Sequence, residues 1–269
     1  MRDSRFDPFE RKRTVYSAKT GYSWCHSGSS HDQKPCEPDE VVKNRWVMPS
    51  SARTIVVGDV HGCPRELESL LVQVNPRDRD RVVFLGDLIN RGPDSHAALK
   101  LARDCGGQSL IGNHEVRLLK YHDSGEAKGL KPNDFKTIRQ LTDEDWAYLM
   151  TMRDRIHIRK WDTVLVHGGF HPYKAWQSQP RDLITEIQTL GPDNRPQRRA
   201  DDPSAPSWAD FWTGPPFVIY GHTPRSEVYE MPSSIGIDTG CVIGGKLTAC
   251  ILPEREIIQV PAAKVYFRR

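Results

Sequence analysis

From residue 53 onward, short apolar runs alternate with amphipathic stretches. TIVV (54–57), RVVFL (81–85), SLI (109–111), TVLV (163–166) and FVIY (217–220) are too short for helices and rich in β-branched residues, so each predicts a buried strand. Between them the period lengthens. Pro64 opens a helix through RELESLLVQV, with Leu67, Leu70, Leu71 and Val74 on one face. Pro93 is read as opening a second helix, with Ala97, Ala98, Leu101 and Ala102 on one side. HEVRLLKYH (114–122) reads as helical, and LTDEDWAYLM (141–150) starts with Thr142 and Asp145 at capping-box spacing. SIGID, KLTACIL and EIIQV predict closing strands, read as β-meander material, and the Pro-rich stretch 192–216 reads as a loop-heavy insertion. Strands alternating with helices, then more strands, predict an α/β core with a second sheet face. No internal repeat is visible.

Residues 1–50 differ in texture. They are polar, with scattered aromatics (Phe6, Phe9, Tyr16, Tyr22, Trp24) and no sustained period. They are expected to form a partly disordered extension ahead of one domain at 51–269. Cys25, His26, His31 and Cys36 lie close together there, but their spacing matches no standard zinc module, so a polar loop is the simpler reading.

Composition narrows the class. Of the 269 residues, 37% are hydrophobic and 27% charged, and no run reaches the length of a membrane span. MRDSRFDPFERKR has no apolar segment, so it is not read as a secretory signal, and the cytoplasm is the expected location. Six cysteines at irregular spacing fit free thiols better than a disulfide framework. A net charge of +3 is too mild to argue for nucleic acid, and Arg198-Arg199 reads as solvated surface.

The informative residues follow the strands. TIVV precedes Gly58-Asp59-Val60-His61-Gly62, RVVFL precedes Gly86-Asp87, SLI precedes Gly112-Asn113-His114-Glu115, TVLV precedes His167-Gly168, and FVIY precedes Gly221-His222. Each element taken alone is an ordinary turn. Together they put a metal-capable side chain at the end of each of these five strands. Ligands collect beyond strand C-termini in open α/β sheets, so five strands in one sheet would converge on one site. In an extended chain Asp59 and His61 would face the same side. Carboxylate, imidazole and amide oxygen suit manganese, iron or zinc, and a carboxylate such as Asp87 can bridge two cations.

GDVHG, GDLINRGPDS, GNHE, HGG and GHT, in this order, resemble the motifs of the PPP-type, calcineurin-like metallophosphoesterases, over about residues 53–260. The resemblance implies a β-sandwich flanked by helices and a two-metal phosphoesterase. It implies Asp59, His61 and Asp87 on one metal, and Asp87, Asn113, His167 and His222 on the other. It further implies His114 as general acid and Arg91 as a phosphate clamp, with Asn113 also near substrate. Hydrolysis would proceed by in-line attack of a metal-held hydroxide.

The protein phosphatases of that family carry GDxVDRG, whose second Asp orients the catalytic His; here that position is Asn90. An amide still orients His114 but cannot stabilise an imidazolium as a carboxylate does. Asn90, the RGP that follows (Arg91-Gly92-Pro93) and GNHEVRLL are similar to the bacterial dinucleoside tetraphosphatases and their ApaH-like relatives. Residues 236–262 resemble the closing segment of ApaH-like and PrpE-like phosphatases, read as a structural turn with Asp238 or Lys246 near the metals. Trp176, Trp208, Phe211 and Trp212, with Lys174 and Arg181, are read as packing rather than base-stacking residues. The expected substrate is therefore a nucleoside polyphosphate such as diadenosine tetraphosphate, cleaved symmetrically to ADP, with an RNA 5′ end as a variant. The alternative is a phosphoprotein phosphatase. Every ligand position is filled, which argues against a non-catalytic scaffold.

Overall fold

The computed structural model describes residues 52–268; the proposed extension at 1–50 and its Cys/His cluster lie outside the described residues. The first half alternates strand and helix: β1 (Thr54–Val57), α1 (Pro64–Val74), β2 (Arg81–Phe84), α2 (Ser95–Asp104), β3 (Gln108–Ser109), then α3 (Asn113–Ser124), α4 (Pro132–Ile138) and α5 (Asp143–Met150). The second half runs through β4 (Arg155–Ile158), β5 (Thr163–Val166), α6 (Arg181–Glu186), a small β6–β7 ribbon (Thr189–Leu190, Pro196–Gln197), β8 (Phe217–Tyr220), β9 (Tyr229–Met231) and β10 (Ser234–Gly236). It closes with β11 (Lys246–Leu252) and β12 (Glu256–Pro261).

These strands form two five-stranded sheets, ordered β12-β11-β1-β2-β3 and β4-β5-β8-β10-β9. The expectation of one sheet carrying all five motif strands is thus corrected: three tips belong to the first sheet and two to the second. The reason is visible in strand alternation. Ile55 and Val57 of β1 pack under the helices α1 and α2, whereas Val56 points into a layer shared with Val83, Leu165 and Ile219. Val164, Val166 and Val218 face a third layer with Phe170, Ile184 and Trp208. Each central strand is buried on both faces, which gives the continuous apolar runs of the sequence but hides which sheet each joins.

The helix starts follow their caps. Pro64 occupies the first turn of α1. Pro93 does not open α2; Asp94 caps it, accepting the Ala97 amide hydrogen at 2.9 Å. Thr142 and Asp145 form the expected capping box on α5. β3 keeps only two residues of its ladder. The expected meander is divided: β10 lies beside β8 in the second sheet, while β11 and β12 form a hairpin in the first. Trp208 and Trp212 are buried in the third apolar layer with Trp176 packed against it, so the packing reading holds for these three, whereas Phe211 is 37% exposed and departs from it. Among the described residues no helix is long and apolar enough to cross a membrane.

Candidate metal centre

The tips of β1, β2 and β3 carry their motifs into three loops that are stitched together. The His61 and Gly62 amides donate to the Asp87 and Leu88 carbonyls at 2.8 and 2.7 Å. His61 does not continue β1: its φ is 49°, left-handed, so the extended Asp-x-His reading fails and the turn itself aims the ring. Glu115, fully buried, accepts hydrogen bonds from the amides of Asp87, Leu88, Ile89 and Gly112 at 2.9, 2.9, 3.3 and 2.9 Å. It ties the GD and GNHE loops into one unit, a role its plain place in the GNHE run did not signal. At Gly112 a Cβ would sit 2.2 Å from Asp87 Oδ1, and at Gly221 a Cβ would sit 2.1 Å from Asp59 Oδ1. Both glycines are therefore dictated by the approach of a carboxylate.

The cluster is dense. Ligand atoms of Asp87, His167 and His222 lie within 4.8 Å of one another, and so do those of His61, Asp87 and His114. Asp87 belongs to both groups, the position expected of a bridging carboxylate. Asn113 Oδ1 lies 3.4 Å from His167 Nε2. Asp59 sits alongside, its oxygens 3.1 Å from the His222 amide. All nine sequence-predicted site residues are brought to this one region. Asp238 is also buried there, where its charge acts on Asp59. Lys246 is not; it reaches outward to Glu227 at 3.0 Å.

The donor atoms fit divalent cations. His61 and His167 each turn Nδ1 to a backbone carbonyl, Ile89 at 3.0 Å and Leu85 at 2.8 Å. His222 turns Nε2 to the Glu186 carbonyl at 3.3 Å. A donated N–H leaves the opposite nitrogen as a lone pair, the arrangement of metal-ligating histidines. Burial lowers His61 well below the ordinary imidazole range, with Arg91 acting the same way, and lowers His167 to about 4. Both rings are thus neutral near pH 7, with a lone pair that could ligate a cation. The carboxylates shift oppositely. Burial, then the charges of Asp238 and Asp87, raises Asp59 well above the usual range. Burial raises Asp87 to about 6 against the nearby Arg91. Burial and the Asp87 charge raise Glu115 to about 8. Buried acids that resist ionisation, facing neutral imidazoles, are the surroundings that cations relieve. Arg91 Nη1 lies 2.7 Å from His61 Nε2, so a cation ligated by His61 requires that guanidinium to swing outward.

His114 has an environment that its motif did not foretell. Its Nδ1 faces Asn90 Nδ2 at 2.8 Å and Arg117 Nη2 at 3.1 Å. Asp134 holds both donors, taking Asn90 Nδ2 at 2.7 Å and Arg117 Nε at 2.7 Å. Reversing the Asn90 amide would press its oxygen on the Asp134 carboxylate. A guanidinium cannot accept, so His114 Nδ1 must, and the ring proton lies on Nε2. Burial, with His61, Arg91 and Arg117 adding to it, pushes His114 well below the ordinary imidazole range. The carboxylate expected at position 90 is in effect displaced to Asp134, behind two donors.

Beside the cluster opens a cavity of about 510 Å³, lined by Arg91, Gln188, Arg198, Arg199, Thr223 and Pro224 among others. Arg198 and Arg199, read from the sequence as plain surface, therefore share a cavity with Arg91 of the site. Arg198 is braced by Asp201 at 3.0 Å, and Arg199 reaches the Pro224 carbonyl at 3.3 Å.

A family model described as calcineurin-like phosphoesterase matches residues 52–252. The chain belongs to this family. As a calcineurin-like phosphoesterase it is a hydrolase of phosphate esters or anhydrides that uses divalent metal ions. It is 28% identical over 242 residues to a protein of Oceanobacillus iheyensis named bis(5′-nucleosyl)-tetraphosphatase PrpE [asymmetrical], covering 78% of this chain and 93% of the relative. The Bacillus subtilis protein of the same name is 27% identical over 240 residues, covering 78% and 95%. A solved structure described as a candidate diadenosine tetraphosphatase superposes with a TM-score of 0.70 at 32% identity, covering 80% of this calcineurin-like chain and 95% of that one.

Proposed function

We propose that this phosphoesterase hydrolyses the phosphoanhydride bonds of a dinucleoside polyphosphate, diadenosine tetraphosphate or a close analogue, in the cytoplasm. The observation that carries this reading is the arginine-lined cavity beside the metal cluster. Arg91, Arg198 and Arg199 border one opening. A polyphosphate chain needs several cationic forks in line, whereas a single phosphoester needs one. The names of the relatives support the same class. Their designation as asymmetrical replaces the expected symmetric cut to ADP with cleavage to ATP and AMP.

In this proposal Asp59, His61 and Asp87 would hold one ion, and Asp87, Asn113, His167 and His222 the other. Manganese is the proposed pair, because the donors are carboxylate, imidazole and amide oxygen without sulfur. When bound, the ions supply Lewis-acid chemistry at the attacked phosphoryl group. The chain's own residues do the rest. Arg91 swings from His61 to the phosphate oxygens. Arg198 and Arg199 bind the distal phosphates. His114 presents its Nε2 hydrogen to the leaving oxygen as a neutral donor. A leaving phosphate, with a second pKa of about 6, departs as a stable anion and needs no proton. A serine alkoxide would need one, and His114 with two donors on Nδ1 is poorly arranged to supply it. The catalytic domain spans 51–269 in this reading, with 1–50 as an extension.

The test is kcat/KM of the manganese-loaded protein for diadenosine tetraphosphate, a 5′-capped RNA and a phosphopeptide, with products separated by chromatography. Preference for the dinucleotide with ATP and AMP released is the expected result. Preference for the phosphopeptide would make the chain a protein phosphatase, and preference for the RNA would move the substrate to a nucleic-acid end.

A further inference from the structure

A second group of metal-capable side chains gathers at the start of α1. Cys63, the residue preceding α1, Glu66 in its first turn, and Cys241 are all buried, with 0%, 2% and 1% exposure. One ligand atom of each lies within 4.8 Å of the others. Glu66 Oε1 accepts the Ala263 amide at 2.9 Å and the Tyr266 hydroxyl at 2.8 Å. Its other oxygen, Oε2, is buried and has no hydrogen-bond partner. A buried carboxylate oxygen without a donor is costly, and a cation is the usual compensation. The spacing from Cys63 to Glu66 puts both on one face of the first helical turn.

We propose that Cys63, Glu66 and Cys241 form a third metal site, distinct from the phosphoesterase pair, that takes zinc. Two thiolates and a carboxylate are a borderline-soft donor set that selects zinc over magnesium, calcium or manganese, and three protein ligands leave one tetrahedral position for a water. The site joins three segments that border the catalytic cluster. Cys63 follows His61 by two residues, and Cys241 follows Asp238 by three. Glu66 anchors the strand of chain holding Phe267, whose ring lies 5.6 Å from the Arg91 guanidinium. A zinc ion here clamps the β1 loop, the turn before β11 and the terminal strap together, and so sets the wall against which Arg91 moves.

Cobalt substitution tests the site without relying on activity. The full-length protein, kept reduced, is titrated with Co²⁺ and its near-ultraviolet absorbance recorded. Thiolate ligation gives an intense sulfur-to-cobalt charge-transfer band, which the nitrogen and oxygen ligands of the catalytic pair cannot give. The expected result is a band that zinc bleaches, that survives the double change Cys25→Ser with Cys36→Ser, and that vanishes in Cys241→Ser. No band, or a band lost with the Cys25 and Cys36 change, overturns the proposal. Should Cys241→Ser fail to fold, X-ray absorption at the zinc edge of the Cys25→Ser, Cys36→Ser protein decides. Sulfur scatterers at about 2.3 Å support the site, and a shell of nitrogen and oxygen alone overturns it.

Discussion

The two sheets contribute unlike halves to the centre. The first-sheet half, from the tips of β1, β2 and β3, is buried and cross-bonded. Glu115 stitches its loops, and Asp134 fixes Asn90 and Arg117 against His114. The second-sheet half has His167 buried and His222 half-buried at its rim, and beyond His222 opens the cavity of Arg198 and Arg199. The first half is fixed apart from the Arg91 side chain, which suits bond-breaking; the second leaves room, which suits recognition. Electrostatic preorganisation needs dry, fixed dipoles, whereas binding a long anion needs reachable cations.

The comparison breaks first at Asp87, the residue common to both ligand groups. Asp87→Asn is expected to lower kcat for diadenosine tetraphosphate by at least about 10³-fold and to reduce the metal content measured by mass spectrometry. Retained activity would mean that the halves work without a shared ligand. Next, His114→Asn should cost about 10²-fold in kcat, the usual loss for one transition-state donor. That loss should be the same across aryl phosphates of differing leaving-group pKa. A loss that grows with leaving-group pKa would restore proton transfer to His114.

On the second-sheet side, Arg198→Ala with Arg199→Ala should raise KM for the dinucleotide about 10- to 100-fold and leave p-nitrophenyl phosphate hydrolysis unchanged. Equal effects on both substrates would place these arginines in the chemistry rather than in recognition. The smallest effect is on stability. In metal-free protein His167, lowered to about 4, gains stability for the fold as pH rises from about 4, and that gain is complete near 6.5. Glu115, raised from 4.5 to about 8, acts the other way: its contribution is full below 4.5 and is lost as pH climbs to its folded value. Between pH 6.5 and 8 the fold should therefore lose about 2 kcal/mol, read by urea denaturation of chelator-treated protein. Adding manganese should abolish the loss.

Much of this was legible in the residues. The five strands, the Pro64 helix, the Thr142 cap and every proposed ligand follow from period, turn residues and motif order. What was hidden is non-local. Strands buried on both faces look alike whichever sheet they join, so the division of β5 and β8 from β1 and β2 left no mark. Asp134 lies in α4, a short helix with no strong period, and nothing near it in sequence points to Asn90. Arg198-Arg199 has the composition of surface, and only the fold brings it to the mouth of the site. The left-handed turn at His61 is likewise a property of the loop contacts and not of the Asp-x-His spacing.

The pairing of β1 with β11 sets Thr54 opposite Leu252. The first tip of the proposed metal cluster is thus seated by a strand far along the chain. Until β11 docks, β1, β2 and β3 carry an unpaired edge beside β1, a template for wrong partners. Contacts so distant along the chain also slow the search for the native topology. A chaperone that covers this edge should therefore raise the yield of folded protein, and metal should enter only after β11 has docked.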